Sequence, residues 1–147
     1  MIHCYINIPD TSARDSLFQA EAKRCKDILE KIAAPSSALR HFCVFDELYS
    51  GTNPDEAVTS ATAFMNYLIK NQNVYCLLTT HFIKVCKNLK KNKNILNCHM
   101  VTENKNNKLI YRYKLAEGIS EVKGGIKVLT EMNYPKEIID NTIKNQK

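Results

Sequence analysis

The stretch from Phe42 to Thr52, FCVFDELYSGT, constrains this chain more than any other. An apolar run, Phe42 to Phe45, stops abruptly at two adjacent carboxylates, Asp46 and Glu47, and the chain then turns at Ser50 and Gly51. Open α/β sheets bind ligands at the carboxyl ends of their strands, so this pattern reads as a buried parallel strand that delivers an acid pair to the rim of a nucleotide site. Taken alone, the commoner reading is an ordinary strand followed by a polar turn. The neighbouring segments decide between the two.

Downstream, Asn53, Pro54, Asp55 and Glu56 form a compact helix start: a cap, a proline in the first helical position and two acids in the first turn. An apolar face follows at Ala57, Val58, Ala61, Phe64, Met65, Leu68 and Ile69. The strand, turn, helix order then repeats, because Val74 to Leu78 is too apolar to alternate and is predicted to be buried on both faces of a parallel sheet. It ends at Thr79, Thr80 and His81. A histidine by itself is ordinarily a surface or core-edge residue; following a buried strand, His81 becomes a candidate for chemistry.

Upstream, the short β-prone run from Ile2 is stopped by Pro9, and a Ser/Asp-rich loop leads into an amphipathic helix near Asp15 or Ser16. Its face carries Leu17, Phe18, Glu21, Ala22, Cys25, Ile28, Leu29 and Ile32. The first amides of a helix lack internal partners and lie at its positive end, so Ser16 is placed to present a hydroxyl and amides to an anion. Its plainer role is that of an N-cap. The sheet is therefore expected from segments 3–8, 42–46 and 74–79. Beyond it come a lysine-rich short helix (Lys84, Lys87, Lys90, Lys91, Lys93), a β-hairpin over about Asn97 to Leu115, and two short helices around Tyr134 and Pro135. Tyr111 and Tyr113 are expected on one face of the hairpin's second strand, packing rather than stacking on bases.

At 147 residues, one domain with a real core is expected over 1–147, with sheet core and hairpin over 1–118 and a helical segment over 119–147. No apolar run reaches the ~18 to 20 residues of a membrane span, and the N-terminus lacks the pattern of a signal peptide, so a soluble intracellular protein is expected. Six cysteines occur without a C-x-x-C pair, which favours free thiols, and Cys76, His81, Cys86, Cys98 and His99 match no structural zinc spacing. The net charge of +6 is uneven: residues 1–83 hold 7 basic and 9 acidic side chains, residues 84–147 hold 14 and 6. That bias suits a polyanion or simply a well-solvated surface.

Four segments, in order, resemble the C-terminal ATPase domain of the MutS family of DNA mismatch repair proteins, which are ABC-type nucleotidases. DSLFQAE is similar to the family's signature loop and helix, VFDELYSGTNPDEA to its Walker B strand and following loop, LLTTHF to its switch-histidine segment, and GISEVKGGIKVLTEMNYPKEIID to its terminal segment. The resemblance implies a P-loop NTPase-like α/β fold: a partial parallel sheet flanked by helices, with a β-hairpin and C-terminal helices. It also implies roles. Asp46 would hold Mg²⁺ through water, Glu47 would orient or deprotonate the attacking water, His81 would sense the γ-phosphate of ATP, and Ser16 would reach the nucleotide of a second such domain across a homo- or heterodimer.

The family's phosphate cradle, GxxxxGK[ST], has no counterpart, since none of Gly51, Gly118, Gly124 and Gly125 begins such a motif. Ala13 and Arg14 replace the glycine-rich approach to the signature, and Ala57 stands where the family often has glycine. The expectation is thus a C-terminal portion of the ATPase domain that does not hydrolyse ATP alone and meets mismatched DNA through other domains. A non-catalytic interaction module derived from such an ATPase is the alternative.

Overall fold

The computed structural model describes residues 1–6, 16–34, 39–105, 108–120, 122 and 124–145. Pro9, Ala13, Arg14 and Asp15, the expected strand positions 7 and 8, and Asn106 and Asn107, which fall within the expected hairpin, lie outside the described residues. The chain forms two compact units, Met1–Ile95 and Leu96–Lys147, with the division ahead of the hairpin.

The first unit runs β1 (Ile2–Tyr5), α1 (Leu17–Ala33), β2 (His41–Asp46), α2 (Pro54–Leu68), β3 (Val74–Thr79) and α3 (Ile83–Leu89). The strands form a parallel sheet in the order β1-β2-β3, with Ile2 beside Phe42 and Phe42 beside Tyr75. Side chains alternate across a strand. Tyr5, Cys43 and Phe45 therefore face one side, where they meet Cys25 and Ile28 of α1, Phe64 and Leu68 of α2, and Val85 and Leu89 of α3. Phe45 and Phe64 pack edge to face with centroids 5.3 Å apart. Each such fully buried apolar side chain contributes roughly 1.5–3 kcal/mol.

Local sequence accounts for both long helices. Ser16 caps α1 through a reciprocal pair: its Oγ accepts from the Gln19 N–H at 3.3 Å, and its own N–H donates to Gln19 Oε1 at 2.7 Å. Asn53 caps α2 by accepting from the Asp55 N–H at 2.9 Å, with Pro54 in the first turn. Steps of three and four residues then bury Ala57, Val58, Ala61, Phe64, Met65 and Leu68.

One expectation is corrected. The Val74–Leu78 run is not buried on both faces but alternates, leaving Tyr75 54% and Leu77 59% exposed. All three helices contribute to a single core on one side of the sheet. The other face, with Ile2 and Phe42 in line with Tyr75, carries no described helix of this unit.

In the second unit, β4 (Cys98–Lys105) and β5 (Lys108–Glu117) form the antiparallel hairpin, followed by α4 (Gly125–Glu131) and α5 (Lys136–Asn145). Simple alternation fails in its middle. Met100 pairs with Leu115 and Thr102 with Tyr111, so three residues of β5 stand opposite Val101 alone. Tyr113, at φ 52°, lies in this irregularity and is 85% exposed, which separates it from the regular face that carries Tyr111. Among the described residues the architecture is mixed α/β, with one parallel sheet, one antiparallel sheet and five helices. No described helix is long and apolar enough to cross a membrane, and none of the six cysteines is joined in a disulfide.

Candidate functional site

Two adjacent parallel strands end together. Asp46 and Thr79 are the last residues of β2 and β3 and stand side by side in register, and the Thr79 hydroxyl donates to Asp46 Oδ1. By parity with Phe42 and Val44, Asp46 lies on the helix-free face of the sheet. The main chain continues the pairing one step further: the Glu47 N–H donates to the Thr79 carbonyl at 3.1 Å.

Glu47 then leaves the strand in a left-handed conformation, φ 53°, and Tyr49 follows at φ 60°. Non-glycine residues seldom adopt this region, and where they do it is held by surrounding structure. The Ser50 N–H donates back to the Glu47 carbonyl at 3.2 Å, closing the turn. The result swings the Glu47 carboxylate onto His81, whose Nδ1 it contacts. A carboxylate only accepts, so Nδ1 carries the proton in this pair and Nε2 is left as the ring's second polar atom. The imidazole lies against Phe82 with centroids 4.2 Å apart, and the Phe82 N–H donates to Thr80 Oγ1 at 3.0 Å, fixing the bend after β3.

The structure thus brings together three sequence-predicted candidates, Asp46, Glu47 and His81, and adds Thr79. Ser16, the fourth, is engaged as the N-cap of α1. Acting as an acceptor there leaves its hydroxyl proton for another partner. As a metal ligand set, a carboxylate and a hydroxyl are hard oxygen donors suited to Mg²⁺, which takes few protein ligands and keeps several waters. Among the described residues, no three His, Cys, Asp or Glu side chains converge on a point.

One participant escaped the sequence reading: Glu21. It is only 3% exposed, on the otherwise apolar face of α1. Its Oε1 accepts from Ser50 Oγ and its Oε2 from the Gly51 N–H, both at 3.1 Å. Beside it, the Tyr5 phenol oxygen accepts the Tyr49 N–H at 3.3 Å. Burial pushes the phenols of Tyr5 and Tyr49 up and lifts the Cys25 thiol beside them to about 11, so these three stay protonated. The available signal was the charge itself, since a carboxylate within an apolar stripe must find donors elsewhere in the chain.

Residues 1–147 match the family model described as MutS domain V. The chain is similar to the DNA mismatch repair protein MutS of Bacteroides thetaiotaomicron, at 31% identity over 139 residues that cover 92% of this chain and 16% of that protein. It is 27% identical to the DNA mismatch repair protein MutS of Prochlorococcus marinus over 133 residues, 90% of this chain and 14% of the relative. It is 25% identical to the DNA mismatch repair protein msh3 of Botryotinia fuckeliana over 150 positions, 87% of this chain and 13% of that protein. The chain therefore spans between 13% and 16% of the length of these relatives.

Proposed function

Because this chain belongs to the family described as MutS domain V, we propose that it forms one half of a MutS-like ATPase site in DNA mismatch repair, completed by polypeptide that carries a phosphate-binding loop. The observation that carries this reading is the joint ending of β2 and β3, which sets the Asp46–Thr79 and Glu47–His81 pairs next to each other at the carboxyl edge of a parallel sheet. In this reading the site has the P-loop NTPase-like plan of ABC-type enzymes. Mg²⁺, when bound with ATP, supplies the positive charge that phosphoryl transfer needs.

This chain's residues divide the remaining work. Asp46, oriented by the Thr79 hydroxyl, would hold the metal, through water. Glu47 accepts a proton from, or orients, the attacking water, and its pairing with His81 fixes the direction of the carboxylate. His81 turns its remaining nitrogen, Nε2, to the γ-phosphate, where it donates a hydrogen bond when the ring carries both protons. Ser16, at the start of α1, donates its hydroxyl to the nucleotide held by a second ATPase domain, which makes the site a shared one. Nothing in the sequence provides the glycine-rich amide cradle for the β- and γ-phosphates, so the chain alone is not ATPase-competent.

The test has two arms. Calorimetry on the isolated chain is expected to detect no micromolar Mg–ATP binding. When the chain is combined with polypeptide bearing the phosphate-binding loop, Glu47→Gln is expected to lower turnover by ~10²- to 10⁴-fold while nucleotide binding persists, the range of general acid–base contributions. Unchanged turnover in that assembly removes Glu47 from its role.

A non-catalytic docking module is the second reading. The bare face of β1-β2-β3 and the outer edge of β3 favour it, since an open parallel edge presents unpaired N–H and C=O groups to another chain. A stable monomer in sedimentation would argue against obligate docking.

A further inference from the structure

We propose that Glu21 is a positioning residue, whose carboxylate holds the turn bearing Glu47 against the first turns of α1; the functional consequence rests on the ATPase reading above. Both oxygens of this buried carboxylate are used, and both donors, Ser50 Oγ and the Gly51 N–H, come from the segment that begins three residues after Glu47. Tyr5 of β1 holds the same turn one residue earlier, its phenol oxygen receiving the Tyr49 N–H. No described ion pair involves Glu21. It is satisfied by this turn rather than by a cation.

Two further observations converge on the same segment. Glu47 and Tyr49 are both left-handed, so the turn adopts a conformation that its own residues disfavour and that needs external restraint. Gly51 also lies directly against Leu17, where an added Cβ would come within 2.7 Å of Leu17 Cγ. The turn is thus seated on the helix that Ser16 caps, and Glu21 lies one helical turn beyond Leu17 on the same face. A carboxylate suits this post because it offers two acceptors to two donors at once. A glutamine can serve as well, because its oxygen accepts from the Gly51 amide while its NH₂ group donates to a rotated Ser50 hydroxyl.

Backbone NMR with amide exchange on the 147-residue chain tests this without any nucleotide. Glu21→Leu keeps the apolar packing but removes both acceptors. It is expected to speed exchange of the Gly51 amide by at least about tenfold, the equivalent of one lost hydrogen bond, and to erase the φ-sensitive coupling of Glu47 and its proximity to the His81 ring, while core amides such as Phe45 stay protected. Glu21→Gln is expected to restore all three. Should Glu21→Leu fail to fold, Ser50→Ala carries the test, with faster Gly51 exchange expected. A folded Glu21→Leu chain with an unchanged turn, or an unaltered Gly51 amide in Ser50→Ala, overturns the proposal. In the reconstituted assembly, Glu21→Leu should lower kcat and leave KM for Mg–ATP in place, and a rise in KM alone overturns the positioning role. Absence of turnover in the wild-type assembly counts against the ATPase reading, and the exchange experiment still decides the role of Glu21.

Discussion

At the scale of single residues, the turn after β2 depends on close approach as much as on hydrogen bonds. Gly51 has no side chain where a Cβ would meet three atoms of Leu17, at 2.7, 3.0 and 3.0 Å. One of these is Leu17 Cβ, which cannot swing aside as a side-chain tip can. Gly51→Ala is therefore expected to destabilise the chain by ~1–3 kcal/mol, the usual cost of overpacking. The measurement is the urea midpoint. Adding Leu17→Ala should recover part of the loss, because the two sites are in contact and do not add independently. An additive double mutant would show that the cost of the substitution does not come from this contact.

At the scale of elements, β1 and β2 are joined by more than their ladder. His3 and His41 are buried and stacked, with ring centroids 5.2 Å apart and planes 11° from parallel, and His3 Nε2 lies 2.9 Å from His41 Nδ1. Burial, foremost, and then the nearby charges of His41, Lys31, the N-terminus and Arg24, hold the His3 imidazole below its ordinary value of 6.5. The unfolded chain then binds this proton more readily than the folded one. The associated stability is complete above pH 6.5 and is lost as pH falls from 6.5 through the lower folded-state value. Urea midpoints between pH 8 and pH 5 should decline, and His3→Gln should flatten that decline. A slope that His3→Gln leaves intact would assign the acid sensitivity to other groups.

The same element scale shows what could be read in advance. The α2 boundary was legible because Asn53, Pro54 and the apolar steps from Ala57 are local chemistry, and the structure uses them as such. The one-sided burial of β3 was not, because an apolar run reads alike whether one face or both are covered. What left Tyr75 and Leu77 bare was the placement of all three helices on one side, a property of connections rather than of the strand. Glu21 was hidden for a related reason: its partners lie 29 and 30 residues away. Long-range satisfaction of a buried charge announces a need without naming the donor. The bulge at Tyr113 was invisible because flanking residues still alternate in polarity.

At the scale of the molecule, the first unit is a half-covered sheet. Parallel sheets normally carry helices on both faces. Here Ile2, Phe42, Tyr75 and Leu77 form an apolar surface beside the outer edge of β3, which pairs with no further described strand; Thr79 ends β3, and Asp46 ends β2 next to it. Edge, face and the Asp46–Thr79 pair are therefore contiguous, and a polypeptide that pairs with β3 and covers this face would bring its own groups next to Asp46. Such an occupant is the one the ATPase reading calls for, a strand leading into a phosphate-binding loop. Tyr75→Ser with Leu77→Ser removes apolar area from that surface without touching the helix-side core. The urea stability of the chain itself is expected to change by no more than ~0.5 kcal/mol per substitution, as at other exposed positions. Association with the loop-bearing polypeptide, followed by sedimentation velocity, is expected to weaken by at least about tenfold, because burying each of these side chains contributes more than 1 kcal/mol. If the pair assembles with undiminished affinity, the bare face is not where the completing polypeptide lies, and the half-site must be completed from the β3 edge alone.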